Sequence, residues 1–251
     1  MNTITYEFPL NERIRIFIRL EQLFQQFNHL AKGETAFDKR AALAVLQNIV
    51  MIFRRNDIKS EVLKELDRNI KTLTSLMETE TSNAGLLLDF SQLSKKLHGT
   101  HGKIGMAVIQ NELFQSITQR SAIPGGTCSF DLPEYHHWLE QNEAVRVKNL
   151  RHWSEPFDDI RIAIERILNF IRSTGTESQE VAEAGFFQIA LNKDVAHQIL
   201  RVKVDNTIPC YAEISGGKHR CSVRFMRPSV DNIRPTQTAD NIPFLLSCCL
   251  L

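Results

Sequence analysis

The spacing of the apolar residues changes along this 251-residue chain, and that change most constrains its fold. Over most of the first 175 residues, apolar positions recur every three or four residues, as on one face of an α-helix. After about residue 186 the period is two, and Leu200, Val202 and Val204 alternate with Arg201 and Lys203. The sequence therefore predicts an α+β fold, with a mainly helical domain and a smaller antiparallel β-sheet domain.

Capping residues and periodicity place the individual elements. Asn11 is suited to cap the first helix, Asp38 the second, and Asp57 or Ser60 the third. Helices are predicted over about residues 11–30, 38–53, 57–76, 85–97, 106–120, 134–141, 144–153 and 158–175. Strands are predicted over about residues 200–205, 210–214, 220–226 and 242–248, with a glycine-containing hairpin loop at 215–219.

The helical pattern breaks at Ile123-Pro124-Gly125-Gly126, and residues 127–130 after the break are predicted to form a short strand. A single strand needs hydrogen-bonding partners, and the C-terminal sheet is the expected one. Both domains are then discontinuous in sequence. The helical domain comprises residues 1–120 and 134–175, and the β-strand domain comprises residues 121–133 and 176–251.

Composition excludes several classes of protein. Lys and Arg number 30 and Asp and Glu number 29, so a net charge of +1 gives no global attraction to DNA or to an anionic membrane. No run of 18 apolar residues occurs, and the first residues lack the apolar segment of a signal peptide. The five cysteines form no CxxC pair. We therefore expect a soluble cytoplasmic protein without membrane insertion.

Signals for catalysis or metal binding are weak. The sequence has no GxSxG nucleophile motif, no P-loop motif and no HExxH motif, and the GxxGxxG spacing at 99–105 is interpreted as a flexible connector. His136 and His137 would point about 100° apart on a helix, so they do not form a metal pair. An enzyme would need a pocket that joins His136 with Cys128 or Glu140. We predict no catalytic residue, no metal and no cofactor.

The most informative segment is residues 215–227, which contains no acidic residue. Its basic residues are Lys218, His219, Arg220, Arg224 and Arg227. Strand alternation predicts one face with Arg220, Ser222 and Arg224, and an opposite face with Cys221, Val223 and Phe225. The two guanidinium groups on the first face would stand about 13 Å apart.

Three interpretations of this basic segment remain open from the residues alone. The first is a solubilising edge strand, for which basic residues are common. The second is a site for an acidic peptide or a phosphate, because arginine binds carboxylates and phosphates through paired hydrogen bonds. The third is a nucleic-acid-binding module, although single-strand binders usually interleave aromatic residues and Phe225 is predicted to face inward. We favour an anionic partner.

Four segments, in order along the chain, resemble one family. They are PLNERIR at 9–15, SEVLKELDR at 60–68, AIPGGTCSFDLP at 122–133 and ISGGKHRCSVRFM at 214–226. The family is that of the bacterial cell division protein ZapD, formerly called YacF. The central IPGGxCSFDLP segment is the most distinctive of the four.

The resemblance implies a homodimer that is not an enzyme, with dimerisation through the helical domain. It implies binding to the C-terminal tail of the tubulin-like division GTPase FtsZ, so that the dimer cross-links and bundles FtsZ filaments in the division ring at midcell. It implies no nucleic acid among the partners.

The resemblance also implies which residues contact the tail. The positions that match the family are Arg19, Arg55, His136, Arg220 and Arg224. Lys218 and Arg227 are added because they lie close to them in sequence. Some relatives have a basic residue in the helix before IPGG, where this chain has Asn111-Glu112.

Overall fold

The computed structural model has the predicted α+β fold, and it describes residues 2–77, 84–192, 194–217, 219–229 and 234–250. The α-helices are α1 (Glu12–Lys32), α2 (Ala36–Arg55), α3 (Ile58–Met77), α4 (Ala84–Gly99), α5 (Met106–Ile109), α6 (Glu112–Arg120), α7 (Pro133–Leu139), α8 (Glu143–Ser154) and α9 (Asp158–Ser173). The strands are β1 (Thr3–Pro9), β2 (Glu177–Ala182), β3 (Phe186–Ala190), β4 (His197–Asp205), β5 (Tyr211–Gly216), β6 (Arg220–Arg227), β7 (Thr236–Gln237) and β8 (Ile242–Leu250).

Contacts divide the chain into two compact units. The helical unit comprises residues 19–167, and the β unit comprises residues 1–18 and 168–251. Within the described ranges, no helix combines the length and the apolar character that a bilayer span requires.

The structure confirms two of the three predicted helix caps. The backbone N–H of Ile14 donates to Asn11 Oδ1 at 3.0 Å, and that of Ser60 donates to Asp57 Oδ1 at 3.2 Å, which confirms both caps. Asp38 is not the cap of α2. It is the third residue of that helix, and it forms a capping box with Thr35, whose hydrogen bonds lower the pKa of the Asp38 carboxyl group.

The single helix predicted over residues 106–120 is in fact two helices. Asn111 separates α5 from α6, and its side chain accepts a hydrogen bond from the backbone N–H of Phe114 at 3.0 Å. An asparagine that caps a new helix competes with continuation of the preceding one. The helical periodicity of the apolar residues did not predict this interruption.

The prediction of a strand at residues 127–130 is wrong. Residues 121–131 form successive turns, in which the N–H of Gly126 donates to Ile123 O at 2.9 Å and that of Cys128 donates to Gly125 O at 2.8 Å. Gly125 has φ +77°, and the Arg40 guanidinium donates to Thr127 O at 3.3 Å. Because these polar groups are satisfied locally and by α2, the segment needs no sheet, and it lies within the helical unit.

The β unit is built from two antiparallel sheets. One has the strand order β1-β4-β8-β2, and the other has the order β3-β6-β5, with the short β7 also paired to β6. Both sheets contribute to one apolar core. Its fully buried members include Leu200, Val202, Val223 and Phe225.

Strand β1 was not predicted, because residues 1–9 were assigned to the helical domain. It pairs along its length with β4, so that Glu7 lies opposite Arg201. The Glu7 carboxylate accepts hydrogen bonds from Arg172 Nε at 2.9 Å and from Arg172 Nη2 at 2.8 Å. Arg201 Nε lies 3.0 Å from Glu7 Oε1 as an ion pair without hydrogen-bond alignment. One carboxylate thus joins β1, β4 and the end of α9.

We expect Glu7→Ala to lower the free energy of unfolding of the β unit by about 2 kcal/mol, because two largely buried guanidinium groups lose their counter-charge. The matched control is Glu12→Ala, which removes an exposed carboxylate paired with Arg15 at 3.3 Å and should cost at most about 0.5 kcal/mol. Urea denaturation measures both changes. Equal stabilities for the two variants would contradict a structural role for the Glu7 cluster.

Candidate functional site

The predicted orientation of the β6 side chains is confirmed. Cys221, Val223 and Phe225 are at most 1% exposed, whereas Arg220 and Arg224 are exposed. Strand β6 is central in its sheet, with β3 on one side and β5 on the other. Because side chains alternate along a strand, burial of one face places both guanidinium groups on the outer face.

The outer face of this sheet is arranged in rows across the strands. The register places a β6 residue in the middle or at the edge of each row: Phe186–Arg224–Glu213, Gln188–Ser222–Ser215 and Ala190–Arg220. The hydroxyl groups of Ser215 and Ser222 lie 2.9 Å apart and share a hydrogen bond. The face therefore combines an aromatic ring, two arginines and a polar centre.

An open groove of about 500 Å³ lies over these rows, and all the described residues that line it belong to the β unit. Its lining includes Phe186, both arginines and the Gly216-Gly217 turn. A Cβ at Gly216 would lie 2.4 Å from Cys221 Sγ, so glycine permits the close approach of β5 to β6 at this point. We call this groove the β6 groove.

The cations of the β6 groove are not neutralised within the described part of the chain. Neither Arg220 nor Arg224 forms an ion pair with another described residue. Glu213 is the cross-strand neighbour of Arg224, and its carboxylate accepts a long hydrogen bond of 3.5 Å from Tyr211 Oη. His219 also lines the groove. An anion that enters therefore meets two arginines with hydrogen-bonding capacity to spare.

The structure separates Arg227 from this pair. Its Nη2 atom lies 2.7 Å from Asp240 Oδ2, and its Nε donates to Thr238 Oγ1 at 3.3 Å. Hydrogen bonds from Arg227 and Thr238 lower the pKa of Asp240, which keeps that carboxylate ionised. The charge of Arg227 is thus balanced by a carboxylate of the same chain, in an exposed ion pair. Lys218, which was grouped with it, lies outside the described residues.

The other predicted contact residues belong to the helical unit. Arg19 is exposed on α1, Arg55 is exposed at the end of α2, and His136 is exposed on α7. None of them lines the β6 groove.

Arg55 lies in a second open pocket of about 610 Å³, together with Arg54, Lys59 and Lys103. Both lysines also anchor the loop after α4 through hydrogen bonds. Lys59 Nζ donates to Thr100 O at 2.7 Å, and Lys103 Nζ donates to Arg54 O at 3.2 Å. Asp57 is the acid in this lining, and it caps α3.

The structure brings together no group typical of catalysis or metal binding in the described residues. No cluster of three or more His, Cys, Asp and Glu residues has the placement that a metal ion needs. The His136–Cys128–Glu140 alternative gains no support, because all three side chains are exposed and no described pocket joins them.

Sequence reasoning missed Phe186 and Glu213, the two neighbours of Arg224. Both are brought there by the register of three strands, and β3 begins 38 residues before Arg224 in the chain. The only sequence signal for Phe186 is its position at the start of the period-two region.

Comparison with known proteins relates the sequence of this chain to one family. Residues 18–224 match the sequence model of the ZapD family, described as a cell division protein. A relative from Methylococcus capsulatus, named Cell division protein ZapD, is 45% identical over 254 residues, which cover 100% of this chain and 99% of the relative. Relatives of the same name from Azoarcus sp. and Nitrosomonas eutropha are 38% and 36% identical, each covering 99% of this chain and 100% of the relative.

We expect Cys128 alone to react rapidly with a thiol reagent in the native protein. Cys128 is exposed, Cys210 is buried, and burial raises the pKa of Cys221, Cys248 and Cys249, so their reactive thiolate forms are scarce at pH 8. Ellman's reagent should titrate one thiol quickly in buffer and all five in denaturant. Rapid modification of a second native thiol would contradict this assignment.

Proposed function

Because this chain belongs to the ZapD family of cell division proteins, we propose that it binds the C-terminal tail of FtsZ and, as a homodimer, cross-links and bundles FtsZ filaments. In this proposal it acts in the cytoplasm, at the division ring at midcell. It is a binding protein and not an enzyme, and it uses no cofactor.

The observation that carries the proposal is the pair of uncompensated arginines in the β6 groove. A guanidinium group forms two parallel hydrogen bonds with a carboxylate, so an acidic peptide segment matches Arg220 and Arg224 in charge and geometry. Both side chains project from the central strand of a sheet with a packed inner face. The groove is therefore formed before the peptide arrives, which reduces the entropy lost on binding.

The composition of the groove favours a peptide over a nucleic acid. Glu213 stands beside Arg224, and its carboxylate would repel the continuous charge of a phosphate backbone that followed β6, whereas a peptide with few acids can place an uncharged residue beside it. Phe186 is the aromatic residue among those that line the groove, whereas single-strand binders use several aromatic residues for base stacking. A net charge of +1 adds no long-range attraction for a polyanion.

The helical unit supplies the remaining proposed contacts. Arg55 and its pocket of basic residues offer a second place for acidic groups of the partner, and Arg19 and His136 add exposed basic side chains. Lys218 stays in the proposed contact set because it precedes His219 and Arg220 in the chain. Arg227 contributes least, because Asp240 already neutralises it.

Bundling follows from a dimer with two such sites. A homodimer displays the β6 groove twice and can therefore hold tails from two filaments. Many tails line each filament, so a released tail is quickly replaced and weak single contacts suffice. Dimerisation through the helical unit is part of the proposal, and exposed apolar side chains such as Phe37 and Leu88 are candidates for that interface.

We expect Arg220→Glu and Arg224→Glu each to weaken binding to the FtsZ tail at least about tenfold and to abolish bundling, because each replaces an attraction with a repulsion. Low-speed sedimentation of GTP-assembled FtsZ measures bundling, and high-speed sedimentation measures binding. The matched control is Arg151→Glu on α8, an exposed arginine outside both pockets, which should behave like the wild type. Normal bundling by both groove variants would refute the proposed site.

We also expect light scattering to give twice the 28.8 kDa chain mass at micromolar concentration, for the wild type and for the groove variants alike. A monomeric mass for wild-type protein that still bundles filaments would contradict the cross-linking mechanism.

A further inference from the structure

We propose that the β6 groove binds an acidic peptide in one orientation, with an apolar side chain of the peptide beside Phe186 and a carboxylate at Arg220. This inference rests on the proposed function, which supplies the acidic peptide. It makes Phe186 a specificity-determining residue.

The outer face of the sheet changes chemically along β6. Near one end, Met226 lies opposite Tyr211 and both are partly buried, and the adjacent row contains Phe186. Near the other end, Arg220 is accompanied by His219 and the Gly216-Gly217 turn. One end of the groove thus combines Arg224 with apolar side chains, whereas the other end has Arg220 without them, so a ligand with the same asymmetry fits it one way round.

The backbone before β3 holds Phe186 on the outer face. Gly185 has φ +72°, and a Cβ there would lie 2.7 Å from Thr238 O, so the turn requires glycine. Gly185 O also accepts a hydrogen bond from Phe225 N at 2.8 Å. Phe187 then points inward, with its ring centroid 5.2 Å from that of Phe244. The neighbouring Phe186 is left 38% exposed in the groove.

Glu213 restricts the approach to Arg224. It flanks Arg224 on the β5 side and repels a carboxylate there, whereas Phe186 flanks Arg224 on the β3 side. A peptide acid therefore reaches Arg224 from the side of Phe186. An apolar side chain near that acid is then placed against the ring, where burial of both surfaces is favourable.

The spacing of the arginines sets the spacing of the peptide acids. Arg220 and Arg224 are four residues apart on β6, about 13 Å at about 3.3 Å per residue. An extended peptide that runs along β6 has the same rise, so carboxylates four residues apart reach both arginines. The apolar side chain then lies next to the acid at Arg224, in the row that also contains Phe186, and away from Arg220.

Binding of a fluorescent FtsZ C-terminal tail peptide to the full chain tests the role of Phe186. We expect Phe186→Ala to weaken binding about tenfold, or about 1.4 kcal/mol, with an unchanged dependence on salt. Arg220→Gln should weaken binding and also flatten the salt dependence, because it removes a charge contact. Phe186→Leu should retain most of the affinity. Val181→Ala, which removes an exposed apolar side chain from β2 outside the groove, is the control and should have no effect.

A double-mutant cycle links Phe186 to the apolar residue of the peptide. Replacement of that peptide residue by serine should weaken binding to the wild type but add little to Phe186→Ala. A photo-crosslinker next to the same peptide residue should attach to residues around Phe186 and Met226 and not to residues 215–220.

The outcomes distinguish the proposed peptide orientation from the proposed binding of the FtsZ tail. Tail binding that is unchanged in Phe186→Ala, or crosslinks confined to residues 215–220, would overturn the orientation and leave the proposed function intact. Failure of the wild type to bind the tail peptide would overturn both.

Discussion

Burial of one face of β6 is the constraint on which the proposed binding surface depends. Phe225 and Val223 are fully buried in the core that both sheets share, and strict alternation then fixes Arg224 on the opposite face. A shift of the register by one residue would place the guanidinium group in the apolar core, at a prohibitive desolvation cost. The stability of the β unit therefore also positions its cations.

The arginines of the β unit fall into two groups with different surroundings. Arg172, Arg201 and Arg227 each meet a carboxylate, Glu7 or Asp240, at 3.0 Å or less. These pairs fasten β1, β4 and the segment after β7. Arg220 and Arg224 form no ion pair with a described residue, although they stand in the same unit. These two arginines share one face of β6, so they give a local positive surface on a chain of net charge +1.

Those parts of the fold that depend on neighbouring residues were predictable from the sequence. The alternation in β6, the β5–β6 hairpin and the caps at Asn11 and Asp57 follow from side-chain direction and from hydrogen bonds within a few residues. The parts that depend on distant partners were not. Arg40 lies 87 residues from Thr127 in the chain and donates a hydrogen bond to its carbonyl oxygen. The segment that the sequence predicts as a strand therefore needs no strand partner for this group.

The candidate site shows the same division. Its two arginines were identified from strand parity, whereas Phe186 and Glu213 join Arg224 through a register that no local pattern encodes. That Arg227 does not join the two groove arginines was also not predictable from its neighbours, because it pairs with Asp240, 13 residues further along the chain. The positive charge of the groove therefore follows from neighbouring residues of one strand, whereas the side chains beside Arg224 depend on the pairing of three strands.

Amide chemical-shift mapping of the isotope-labelled protein, titrated with the FtsZ tail peptide, shows which residues the peptide contacts and so tests binding in the β6 groove. If the tail binds in the β6 groove, the largest perturbations fall at the outer-face positions of β3, β5 and β6 and at Gly216-Gly217, with smaller ones elsewhere. Saturable peptide binding that leaves these resonances unmoved would contradict it.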